Sequence, residues 1–105
     1  MTDVEFLDCS EIRMGSPFNV CRLQLQLGWS PDLPNDDWQD LAAESPDGRF
    51  IALVRWEVRS NDPGFIIFTL DNVEQRVDRS ERHAGCCERI WWSGNSFEWS
   101  AGGRS

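Results

Sequence analysis

Three groups of residues in this chain have side chains that could do chemistry. The first is His83-Ala-Gly-Cys86-Cys87. An imidazole beside a thiol can take its proton and make a nucleophile. The same side chains could ligate zinc, with Cys9 or Cys21 completing four donors. Neither pattern is complete. Structural zinc sites use paired Cys-x₂₋₄-Cys knuckles, and here the histidine is single, with no third residue assigned to orient it. The segment reads more simply as a loop with a capping histidine that enters a strand with its thiols buried. The second group is Asp36, Asp37 and Asp40. Paired carboxylates can serve acid–base work or bind calcium, but these three lack the ordered spacing of a calcium loop. The third group is the tryptophans, which offer anchors and stacking platforms. There is no nucleophile elbow, no His-Glu-x-x-His helix and no phosphate-binding glycine loop. The expectation is a protein that is not an enzyme and holds no cofactor and no metal.

The cysteines number four: Cys9, Cys21, Cys86 and Cys87. An even count invites a disulfide framework. Against it, adjacent cysteines do not bridge in ordinary geometry, and a chain of 105 residues can bury a core without staples. The N-terminal Met-Thr-Asp-Val-Glu is acidic, unlike the basic start of a secretory signal. All four thiols are expected to be free.

Eighteen acidic residues oppose ten basic ones, for a net charge of −8, and every basic residue is arginine. That balance disfavours nucleic acid, whose affinity comes largely from phosphate neutralisation. It suits a basic protein partner, drawn in by long-range attraction. No apolar run approaches the ~20 residues of a membrane span. Six Trp and six Phe argue for a packed core and against disorder. The expectation is a single cytoplasmic domain over residues 1–105, without membrane contact.

The elements follow from period-two alternation. Val4 to Leu7 is a short strand, and Ser10 to Arg13 is a weak one before the turn residues Gly15-Ser-Pro17. Cys21, Leu23, Leu25 and Leu27 alternate with Arg22, Gln24 and Gln26, so one face is buried and the other is wet. Residues 28–48 differ, with six carboxylates between Asp32 and Asp47 and no base among them. Asn35 or Asp36 could cap a short helix within residues 35–44, with Trp38, Leu41 and Ala42 on one edge. Ser45-Pro46 would end it. Ser45-Pro-Asp-Gly48 is a tight turn in which Gly48 accepts positive φ. Beyond it, Phe50, Ala52, Val54, Trp56 and Val58 face one way, and Ile51 and Leu53 the other. Ser60 to Gly64 is a turn, and Phe65 to Leu70 is apolar on both faces, as a covered central strand would be. Asp71-Asn72 reverses the chain into a polar strand ending at Arg79. Residues 82–85 form a loop. Arg89 to Trp92 and Ser96 to Ser100 form a last hairpin around Ser93-Gly-Asn95, and the tail frays. The fold class is all-β, an antiparallel meander sheet of five to seven strands with at most one short helix.

Ser45-Pro-Asp-Gly-Arg-Phe-Ile-Ala-Leu53 resembles the opening of a β-propeller blade of the TolB or WD40-like type. Gly64 to Asp71 looks like the next strand of such a blade, and Arg89 to Ala101 like the start of another. From Ser45 to Ser93, where Ser93-Gly-Asn95 stands in place of Ser-Pro-Asp-Gly, is 48 residues, against the ~40–50 of one blade-type repeat. The resemblance covers about half the chain and implies a blade-like antiparallel meander, either as one open sheet or as several chains completing a ring. It carries over no catalytic residue.

Two functions follow as expectations. The first is a protein-interaction module, such as an inhibitor or immunity protein. It would hold a basic partner through Asp32, Asp36, Asp37 and Asp40, with Trp38 as the desolvated anchor despite its competing phase with Leu41. The second is a carbohydrate-binding protein that forms a homo-oligomeric ring through Trp-rich blades. Trp56 and Trp99 share phase with apolar neighbours and read as core. Of the neighbours Trp91 and Trp92, one must face away from the other.

Overall fold

Alternating residues in a strand sort to opposite faces, and the leucine run does so. In the computed structural model, which describes residues 4–11, 18–59 and 62–102, Cys21 is buried, Leu23 and Leu25 are half-buried, and Arg22 and Gln24 are exposed. The strands are β1 (Val4–Glu11), β2 (Asn19–Leu25), β3 (Trp38–Glu44), β4 (Phe50–Trp56), β5 (Gly64–Asp71), β6 (Arg76–Arg79), β7 (His83–Ala84), β8 (Cys86–Ser93) and β9 (Ser96–Gly102). Strands β1 to β6 lie side by side in chain order, and β7 pairs with β5, closing a seven-stranded sheet. Every pairing in it is antiparallel. β8 and β9 pair with each other as a separate hairpin. No described residue is helical.

The sheet is covered on both faces at β4 and β5, which is why Phe50 to Val54 and Phe65 to Phe68 are apolar without a break. One face carries Trp38, Ile51, Leu53, Ile66, Phe68 and Leu70, and Trp29 and Leu33 from the β2–β3 connection pack against it. The other carries Val54, Phe65 and Ile67, covered by Cys87, Ile90 and Phe97 of the hairpin. One indole N–H fastens the hairpin to the sheet and another ties strands within it: Trp92 Nε1 donates to Ala43 O at 3.1 Å, and Trp56 Nε1 to Asn19 O at 2.8 Å. Trp92 stacks on Phe50 at 5.7 Å between centroids. Trp91 takes the outer side, under the guanidinium of Arg89 at 4.4 Å. The Ser45–Gly48 turn has the expected form. Gly48 has φ +76°, its N–H donates to Ser45 O, and Ser45 Oγ accepts from Phe50 N.

The expected helix over residues 35–44 is a strand instead. Trp38, Leu41 and Ala42 do have helical spacing, but a sheet uses them better. Trp38 and Ala42 sink into one face, beside Arg55 and Leu53 of β4, while Leu41 packs on the other. The register slips between Trp38 and Ala42, a bulge that absorbs the extra residues. Asp37, at φ +67°, turns the chain into the strand; aspartate tolerates this region better than most residues.

The cysteines also depart from expectation, because Cys9 and Cys21 are bridged. β1 and β2 bring them together. Leu7 opposes Arg22 and Ser10 opposes Val20, and the irregularity between them, with Asp8 at φ +53°, sets Cys9 against Cys21 at a Cα separation of 4.2 Å. Facing strand residues come this close at a non-hydrogen-bonded pair. Spacing along the chain does not reveal a cross-strand neighbour. Cys86 and Cys87 are free. Protein unfolded without reductant therefore titrates two thiols rather than four, and four after reduction. Finding four before reduction in protein purified under oxidising conditions contradicts the bridge.

Of the remaining expectations, Ile12, Arg13, the Gly15–Pro17 turn, Ser60, Asn61 and the last three residues lie outside the described residues. No helix among the described residues is long and apolar enough to cross a membrane.

Candidate functional site

The acidic segment is held from inside by the residue expected to reach outward. Trp38 is 0% exposed, so it offers no face to a partner, and its assignment as a docking anchor is corrected. Its ring meets Phe68 edge-on at 5.2 Å, and Nε1 donates to Pro34 O at 2.9 Å. Alternation decides the matter. Trp38 faces the core side of β3, a large apolar ring gains more from burial than from exposure, and its one polar atom finds a carbonyl four residues back.

Asp32, Asp36, Asp37 and Asp40 are all exposed. Asp36 and Asp37 end the β2–β3 connection, and Asp40 lies in β3, where its Oδ2 accepts from Asn19 Nδ2 at 3.0 Å. Glu44 ends the strand and Asp47 sits in the turn beyond it, both exposed. β3 is seven residues long, so at ~3.3 Å per residue the strand that carries the rail from Asp36 toward Asp47 runs roughly 23 Å. Asp47 is held below its ordinary carboxyl value, first by the hydroxyl of Ser45 and then by the backbone N–H of Arg49.

The segment has no base in sequence, but it has one in space. Arg55 of β4 donates from Nε to Asp36 O at 3.0 Å, and its Nη2 lies 3.3 Å from Asp36 and 3.4 Å from Asp37 carboxylate oxygens. Cross-strand pairing does this, because Trp38 and Arg55 are register partners. Arg55 cancels one of the six carboxylates and fixes the entry of the rail. Asp32 stands apart, at the mouth of a groove of about 730 Å³ that also contains Trp29, Phe68, Arg55, Arg76 and Arg79. Trp29 is pinned there by its Nε1 to Asn72 Oδ1 at 2.8 Å, and Arg79 lies over the Phe68 ring at 5.3 Å.

One thiol of the thiol–imidazole group is withdrawn into the core. Cys87 is fully buried, and burial pushes its thiol up to about 11, so it stays protonated at neutral pH. Its Sγ points to Arg89 O at 3.6 Å. His83 packs against the rings of Phe65 and Trp99, at 5.3 and 4.5 Å. Cys9 and Cys21, the suggested further ligands, are bonded to each other. Among the described residues, no three His, Cys, Asp or Glu side chains gather as a metal-binding group.

One ion pair with a buried carboxylate and a part-exposed guanidinium lies beside the rail. Asp71 is 1% exposed and accepts two parallel bonds from Arg49, at 3.0 and 2.9 Å. The same carboxylate accepts from Val73 N and Glu74 N and so ties off the β5–β6 turn. These bonds, led by that of Arg49, lower its pKa to about 2. Its bonds make it a structural group.

Arg55 was visible in the sequence only as a polar position on a strand. Its role needs the β3–β4 register, which the helix reading hid. No protein-family model, no curated protein and no solved structure matches this chain.

Proposed function

We propose that this chain is a binding module without catalysis of its own, and that it docks a basic protein partner along the carboxylate rail of residues 32–47. An inhibitor or immunity protein is the type of molecule that fits. One observation carries the reading: the carboxylates of Asp32, Asp36, Asp37, Asp40, Glu44 and Asp47 are all exposed, and the guanidinium paired with them is that of Arg55 alone among the described residues. Such a line of like charge attracts a complementary surface before contact and sets its orientation. Trp38 and the β4 pairing make the rail rigid, so little ordering entropy is lost on docking.

The test is kinetic. Asp36→Asn/Asp37→Asn/Asp40→Asn should slow association with the basic partner about tenfold at low salt and flatten its salt dependence. The melting temperature should hardly move, since exposed pairs contribute little to stability. An unchanged association rate places the interface elsewhere.

A further inference from the structure

The hairpin does not cover the whole sheet face that it packs on. Beyond Phe65, between β9 and the β5–β6 pair, a cleft of about 270 Å³ stays open. Ile67 and Thr69, Phe97 and Trp99, Asp78, and His83 are among its lining residues. We propose that this cleft binds one pyranose ring of a neutral carbohydrate, stacked on Trp99.

Trp99 is the first ground. It is 37% exposed, and among the described residues it is the one aromatic side chain left so open. Its phase with apolar neighbours suggested core, and the phase is right: Trp99 points toward the sheet with Phe97. The sheet runs out beneath it. The ring is nevertheless held in place. Phe65 meets it edge-on at 5.5 Å and 83°, and His83 lies 4.5 Å away, tilted by 45°. An aromatic surface fixed in orientation and partly dry on one side is costly to leave in water unless something covers it.

The second ground is a set of unused polar groups at the same place. Trp29, Trp38, Trp56 and Trp92 each donate Nε1 to a protein acceptor. Among the described residues, Trp99 Nε1 has no such acceptor, and neither the Thr69 hydroxyl nor a ring nitrogen of His83 forms a hydrogen bond. Thr69 and Asp78 are register partners across β5 and β6, so they stand side by side. The Asp78 carboxylate meets only the exposed Arg76, at 3.4 Å. Polar groups that converge on a small concave site and lack partners are ready to fix a ligand's orientation.

The donor and acceptor types select the ligand. A carboxylate accepts, an indole N–H donates, and a hydroxyl and an imidazole do both. A sugar ring matches this set, with hydroxyls around its rim and a C–H face for the indole. Anions are disfavoured by Asp78 and cations by Arg79, both of which line the cleft. The volume lies just below the usual ~300–1,000 Å³ of small-molecule sites, room for one ring rather than a chain. The cleft lies on the sheet face opposite Trp38, so this inference stands apart from the rail and can fail without it.

Saturation-transfer NMR and tryptophan emission would be recorded with methyl glycosides of glucose, mannose and galactose, and with choline and indole as competing probes. The expected result is saturable binding of at least one glycoside in the millimolar range, with transfer strongest to the C–H groups of one ring face. Trp99→Ala and Asp78→Asn should each weaken it about tenfold. If Trp99→Ala does not fold, Asp78→Asn and Thr69→Val carry the test, with circular dichroism confirming the sheet. Three results overturn the proposal: no saturable signal from any glycoside, binding that survives these substitutions, or tighter binding of choline or indole than of every sugar.

Discussion

Trp38→Ala should lower the unfolding free energy by about 3–5 kcal/mol, the cost of emptying a large aromatic site. That is a large share of the ~5–15 kcal/mol available to a typical domain. The residue is fully buried, contacts Phe68 and holds the Pro34 carbonyl. It belongs to the same cluster as Ile51, Leu53 and Leu70. Its loss therefore loosens the connection that carries Asp32, Asp36 and Asp37 as well as the core. Trp38→Phe should cost less, because most of the ring is kept, while Pro34 O loses its donor. Urea titration measures both. A cost below about 1 kcal/mol for the alanine variant is that of an ordinary surface change and contradicts a buried Trp38.

The second large effect belongs to Asp71. Asp71→Ala should lower the melting temperature by roughly 10 °C, as removing a buried, doubly bonded carboxylate does. Arg49 is left beside an apolar gap, and the Val73 and Glu74 amides lose their acceptor. A pH dependence follows. Asp71 has a folded pKa of about 2 against an ordinary 3.8. Its stabilising contribution is therefore complete above 3.8 and is lost as pH falls through about 2. The urea midpoint of the native chain should drop between pH 4 and 2, and that of Asp71→Asn should drop less over the same range. Equal slopes would mean that Asp71 is not the group being titrated.

Much of this fold was legible in the residues because alternation is a local signal. Ile51 and Leu53 faced opposite to Ala52 and Val54 as read, and Phe65 to Leu70 was covered on both sides. The Ser45–Gly48 turn and the final hairpin also followed from turn chemistry. What escaped depended on partners distant in sequence. β3 looked helical because Trp38, Leu41 and Ala42 satisfy either period over so short a stretch, and only pairing with β4 decides between them. The Cys9–Cys21 bridge and the Arg55 contacts likewise rest on register. The resemblance to a propeller blade implied an antiparallel meander, and the sheet is one. The residues that resembled a second blade, β8 and β9, instead fold across the face of the first sheet. The candidate rail was legible as a run of acidic residues, but its rigidity was not, because the buried anchor under it had been placed on the outside.

Zero-length carbodiimide coupling tests the docking proposal most directly, since it joins a carboxylate to an amine only where the two touch. This chain contains no lysine. Every link from one of its carboxylates to a lysine must therefore join it to another protein. Coupling the chain to its basic partner and locating the links by mass spectrometry should place them on Asp32, Asp36, Asp37, Asp40, Glu44 or Asp47, with few elsewhere. Links concentrated on Glu5, Glu11, Glu88 or Glu98, with residues 32–47 unmodified, would contradict the rail as the docking surface.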